Sequence, residues 1–127
     1  MKFIQITVLV FMVSILSACS KDKGVEQLNS IESRWDDAIS LASSTPRIQL
    51  ANSVSALQDI KNELNTIEVS DCLAPAKGKF SKYMDNNIQV FLDFMRDSDS
   101  SSAYKIKAEN DQLIQEYFEI KQECTKK

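Results

Sequence analysis

The chain predicts an all-α domain. Gly and Pro are scarce, two of each in 127 residues, and a sheet-rich domain needs many more turns than that. Beyond Leu16 no Val/Ile/Thr-rich run alternates with period two. Apolar residues instead recur at spacings of three and four over four successive stretches, the period of a helix with one buried face.

The first helix is expected over 25–42. Leu28, Ile31, Trp35, Ala38, Ile39 and Ala42 fall on one face, and Glu26, Glu32, Arg34, Asp36 and Asp37 cover the others. Ser43-Ser44-Thr45-Pro46 breaks it. Thr45 is a good N-cap and Pro46 a good first helical residue, so the second helix is expected over 46–67, with Leu50, Val54, Leu57, Ile60, Leu64 and Ile67 inward. Glu68-Val69-Ser70-Asp71 ends it, with Ser70 or Asp71 as the next N-cap.

The third helix is expected over 72–96, with Pro75 tolerated in its first turn. Phe80, Met84, Ile88, Phe91 and Met95 make one stripe; Tyr83, Val90 and Phe94 make a second beside it. Residues 90–95 are apolar over most of the circumference, which predicts burial on several sides. The polar run 97–102 (Asp-Ser-Asp-Ser-Ser-Ser) is a turn whose serines can cap a fourth helix over 103–123. That helix carries Tyr104, Ile106, Leu113, Ile114, Tyr117, Phe118 and Ile120, with Cys124 just beyond. Four long helices on short connections favour an up-down-up-down antiparallel bundle. A three-helix variant with a frayed first helix is the alternative.

The first 18 residues read differently. Lys2 precedes an apolar run from Phe3 to Leu16, and Leu16-Ser17-Ala18-Cys19 closes it. This has the basic start, apolar middle and small-residue end of a secretory signal. With Cys in the last place it resembles the lipobox of bacterial lipoproteins. The resemblance covers about the first 20 residues. It implies that 1–18 is a signal peptide and is cleaved, and that Cys19 is the lipidated first residue. The polar stretch 19–24 then reads as a tether, and the periodic stretches above make 25–127 the helical domain. Six extended residues reach roughly 20 Å, so the domain sits near the lipid. Ser20 after the Cys, where Asp would favour inner-membrane retention in that family, implies the periplasmic face of the outer membrane. Two or three acyl chains give stable membrane anchoring, where one alone holds marginally.

Composition then narrows function. Removing 18 of 127 residues leaves 109, room for one small domain. Without Lys2 the 15 basic residues become 14, against 18 acidic, a net charge of −4. No nucleic acid partner is expected, because phosphate binding demands a basic excess. There is no histidine. That removes the commonest general base and metal ligand, so no metal, no cofactor and no catalytic residues are assigned and the chain is not expected to be an enzyme. Paired carboxylates from Asp36, Asp37, Asp93 and Asp97 would need a sugar cleft, for which a bundle with short loops leaves little room. Asp97-x-Asp99-x-Ser101 resembles the opening of a calcium loop. However, the Gly and Glu that such a loop needs at its sixth and twelfth positions are Ser102 and Ala108.

Cys72 and Cys124 remain once Cys19 is assigned to lipid. In an oxidising compartment such a pair reads as a disulfide. Cys72 lies as far before the 97–102 turn as Cys124 lies after it, to within about one turn of helix. Lys77, Lys79, Lys82, Lys126 and Lys127 would gather at the tether end of such a bundle. Glu63, Glu68, Asp71, Glu116, Glu119 and Glu123 balance them there, which leaves no basic footprint for a lipid surface.

The expected function is that of a small membrane-anchored envelope lipoprotein acting by contact with another envelope protein, as an assembly, exclusion or immunity-type factor. The candidate contact patch is Phe91, Phe94 and Met95 at the end remote from the tether. The alternative is a helical carrier that holds an apolar ligand between its helices, for which a large void lined by Trp35, Tyr83, Phe91, Phe94, Tyr104 and Phe118 would be the sign.

Overall fold

The structure is a computed structural model that describes residues 23–97 and 101–126, with the side chains of 101 and 102 left aside. The signal peptide, Cys19, residues 20–22 of the tether and Asp99 lie outside the described residues. Four helices follow in order: α1 Val25–Ser44, α2 Leu50–Thr66, α3 Ala74–Met95 and α4 Ser101–Thr125. They form an up-down-up-down bundle, and among the described residues there is no strand.

Cross-helix ties make the antiparallel register explicit. Cys72 is joined to Cys124, with Cα atoms 5.8 Å apart. Farther along α3, Lys79 pairs with Glu116 of α4 at 2.5 Å and Lys82 with Glu109 at 2.5 Å. Numbers rise on one helix as they fall on the other. Arg34 to Glu63 at 2.6 Å ties α1 to α2, and Lys61 to Asp85 at 2.5 Å ties α2 to α3.

The predicted stripes supply the core. Leu28, Ile31, Trp35 and Ala42 of α1 are buried, as are Leu50, Val54, Leu57, Ile60 and Leu64 of α2. From α3 come Ala76, Phe80, Met84 and Ile88, and from α4 Leu113, Tyr117 and Cys124. The Phe80 and Tyr117 rings stack at 4.7 Å between centroids, joining α3 to α4 at the centre.

Three expectations are corrected. The second helix does not begin at Pro46. Pro46 is extended (φ −58°, ψ 145°), a 3₁₀ turn Arg47–Gln49 follows, and α2 starts at Leu50. Thr45 is correspondingly no N-cap: its hydroxyl donates back to the Leu41 carbonyl at 2.7 Å and closes α1. The third helix begins at Ala74 with Leu73 in the N-cap position and no side-chain cap bond, so neither Ser70 nor Asp71 caps it. A backbone turn does that work, with the Leu73 and Ala74 N–H groups donating to the Ser70 carbonyl at 2.9 and 3.0 Å. Residues 90–95 are not buried on several sides. Phe91, Leu92 and Met95 are half-buried against the core and Phe94 is exposed, so an apolar circumference does not by itself bring burial on every side.

Candidate functional site

Two parts of the bundle depart from ordinary packing. The first is the end where the chain enters. The Ser70 N–H donates to the Lys23 carbonyl at 3.0 Å, and Lys23 Nζ reaches Glu68 at 2.8 Å. Gly24 lies between them with φ +92°, the left-handed region that glycine enters without strain. A Cβ there would stand 2.6 Å from Val69 Cγ1 and 2.7 Å from the Glu68 carbonyl oxygen. The tether is therefore clasped onto the 67–73 connection, beside the Cys72–Cys124 bridge. Lys77 finishes the arrangement by donating to the Asn65 and Ile67 carbonyls at 3.0 and 2.7 Å, which caps the open C-terminus of α2. Of the five lysines expected at this end, Lys77, Lys79 and Lys82 bind other helices. Lys23 and Glu68 perturb each other by hydrogen bond and charge, the lysine upward and the carboxyl downward.

The second is the seam between α1 and α4. α1 packs on α2, α2 on α3 and α3 on α4, but α1 and α4 hardly approach each other along the backbone. One bridge closes the near part of the seam: Glu32 of α1 accepts hydrogen bonds from both the Tyr117 hydroxyl and Lys121 Nζ. The lysine also lies 5.5 Å from the Tyr117 ring centre and 5.8 Å from that of Phe118. Burial, then the bond to Glu32, holds the Tyr117 hydroxyl far above its ordinary titration range.

Beyond that bridge the seam opens. Its floor is the second stripe of α3, Tyr83, Asn87, Val90 and Phe94. Tyr83 stacks on Phe80 at 6.1 Å and falls on α3 between the core residues Phe80 and Met84 and the α4-facing Lys79 and Asn86, so this stripe lies on the α4 side of the core; burial pushes its hydroxyl upward. Exposure rises along the stripe, from half-buried Tyr83 and Val90 to Phe94, which is 53% exposed. On the α4 side Tyr104, Asp111 and Phe118 fall seven residues apart; Tyr104 is 78% and Phe118 50% exposed. On the α1 side Glu32, Asp36 and Ile39 fall on one stripe, with Asp37 next to it. The Asp36 carboxyl is pushed upward by partial burial and by the charges of Glu32 and Asp37.

The candidate patch is divided by this geometry. Phe91 and Met95 lie on the stripe of Phe80, Met84 and Ile88 and pack against the core, whereas Phe94 lies on the seam. Leu41 and Ile48 are also exposed, at the end of α1 and in the 3₁₀ turn. Asp97 binds Arg47 at 2.6 Å and Asp93 accepts from Gln89 at 2.7 Å, so both have structural partners. Among the described residues no group of three or more His, Cys, Asp or Glu side chains is placed to hold a metal, and no helix is long and apolar enough to cross a membrane.

An open groove of about 620 Å³ between α2 and α3 is lined largely by polar residues, among them Lys23, Asn65, Lys77 and Ser81. A smaller one of about 230 Å³ between α3 and α4 is lined by Lys79, Lys82, Glu109 and Glu116 among others. Neither reaches the core aromatics. Compared with known proteins, the chain matches no family model, no curated protein and no solved structure.

Sequence reasoning missed the Lys23–Gly24 clasp, the Glu32–Tyr117–Lys121 bridge and the role of Lys77. A signal existed for the first: Gly24 is one of two glycines in the chain and stands directly before a helix. The other two depend on which helix faces which, and that is not written in a local pattern.

Proposed function

We propose that this protein is a lipid-anchored envelope lipoprotein that acts by binding another envelope protein, without catalysis, at the periplasmic face of the outer membrane. The observation that carries it is the distribution of exposed apolar side chains. Among the described residues, Leu41, Ile48, Phe94 and Tyr104 all lie toward the end opposite Lys23, where the tether enters; Phe118 is the exception. Large apolar side chains exposed together at one end of a small domain favour a contact site there. A protein held at Cys19 would present that end away from the lipid, where a partner reaches it without meeting headgroups. The carrier reading has less support, because the core aromatics stack on one another and no aromatic side chain lines either of the two grooves above.

Two measurements test the reading. Metabolic labelling with a fatty-acid probe should mark the wild-type protein, and Cys19→Ser should release it from the detergent phase or leave it uncleaved. An unlabelled wild-type protein contradicts the anchor. Crosslinking in intact cells should yield one reproducible partner that disappears with Phe94→Glu while the domain stays folded. Loss of the fold in that variant, or an unchanged crosslink, contradicts the contact.

A further inference from the structure

From the charges and side chains along the seam we infer that its open part, between α1 and α4, is the docking groove for a basic amphipathic helix of the partner protein. This rests on the protein-contact reading above and names its partner chemistry. The floor is apolar with one polar interruption: Tyr83, Val90 and Phe94, with Asn87 among them. Its spacing of three and four is the spacing that a helix laid along it would match. The α4 lip is aromatic, with Tyr104 and Phe118 each at least half exposed, and exposed aromatics are favoured anchors in contacts.

The charge is one-sided. On α4, Lys107 neutralises Asp111 at 3.2 Å, and Lys121 is taken up by Glu32. On α1, Asp36 and Asp37 have no cation within ion-pair distance among the described residues. Three acids in six residues of α1 (Glu32, Asp36, Asp37) are therefore answered by one lysine. An occupant with apolar residues toward α3 and Lys or Arg along the edge toward α1 satisfies both features. An acidic or neutral helix would leave the α1 wall uncompensated. Among the described residues, Lys77, Lys79 and Lys82 of α3 are not free to supply such an edge from a second copy, since they are paired with α4 or cap α2.

The test uses the full lipidated chain in cells, with a photoreactive residue at position 94 and, in a separate strain, at position 48. Mass spectrometry then identifies the peptide joined to each. The expected result is capture from position 94 of an amphipathic segment with Lys or Arg along one edge. Reversing the wall with Asp36→Lys and Asp37→Lys should lower that yield about tenfold, the size expected from two surface charges changing sign. Asp36→Asn with Asp37→Asn should lower it less. Both sites are exposed, and an unchanged melting temperature confirms the fold. A captured segment that is acidic or uncharged, a second copy of this chain, or a yield indifferent to the charge reversal overturns the inference. Capture from position 48 alone overturns the seam and keeps the protein-contact reading. Capture from neither position overturns both.

Discussion

The end of the bundle where the tether enters is held by three kinds of bond, whereas the opposite end is held by little more than packing. At the first, a disulfide joins the 67–73 connection to α4, a backbone hydrogen bond and an ion pair fix Lys23 to the same connection, and Lys77 closes α2. At the second, among the described residues, one exposed ion pair, Arg47 to Asp97, spans the connections, and exposed pairs contribute only about 0–1 kcal/mol. The exposed apolar side chains collect toward the weakly held end and along the adjoining seam. The lesson is a division of labour: cross-links concentrate where the chain enters the bundle, and exposed apolar surface collects toward the opposite end.

The sharpest way to break this contrast is to cut the disulfide. The bridge spans a sequence separation of 52, for which loop-closure entropy gives roughly 4 kcal/mol as an upper figure. Cys72→Ser should lower the melting temperature by roughly 15–30 °C for a domain of this size, and calorimetry reads it directly. A fall of only a few degrees would mean that packing, not the bridge, holds that end.

Two substitutions on α3 sharpen the contrast next. Met84 is fully buried, so Met84→Ala should cost about 2–5 kcal/mol through lost contacts and a residual cavity. Phe94→Glu, on the exposed seam stripe, should stay within about 1 kcal/mol of wild type. Urea unfolding of the two variants side by side measures this. Equal, large losses would place Phe94 in the core and close the seam.

Gly24→Ala probes the clasp. A Cβ cannot fit against Val69 and the Glu68 carbonyl at a left-handed φ, so the tether must pull away or strain by about 1–3 kcal/mol. The change should increase protease sensitivity at 23–25 while cleavage at the 97–102 turn stays the same. The smallest effect is electrostatic. The Asp36 carboxyl is raised by burial and by neighbouring acids, so its ionisation opposes folding. Stability linked to it is present below the ordinary carboxylate range and is lost as pH rises through the raised value. Asp36→Asn should therefore be slightly more stable than wild type at neutral pH, and the advantage should vanish on acidification. Thermal melts across that range check the sign.

The elements readable from the sequence were those that local pattern controls. The stripes of α1, α2 and the first half of α3 are buried as their spacing requires, and Cys72 and Cys124 meet because two helices of matched length fold back on each other. Connections were less legible. Pro46 invites an N-cap reading, but the Thr45 hydroxyl satisfies the end of α1 instead, and the chain needs a 3₁₀ turn before α2 can begin. The segment 90–95 looked like core because its composition is apolar all round. Burial depends on neighbours, and Phe94 lies on a face that stays 53% exposed. The seam itself follows from α1 and α4 standing apart, which no stretch of sequence encodes alone.

Residue-resolved hydrogen exchange tests the contrast most directly, because it reads how firmly each end is held in the intact domain. Amides of the 117–124 segment should exchange only on global unfolding, and those of 103–109 through local opening at much lower free energy. Reduction of Cys72–Cys124 should lower the protection of 117–124 toward that of 103–109. Equal protection of the two halves of α4 in the oxidised domain would contradict a bundle clasped at one end and open along its far seam.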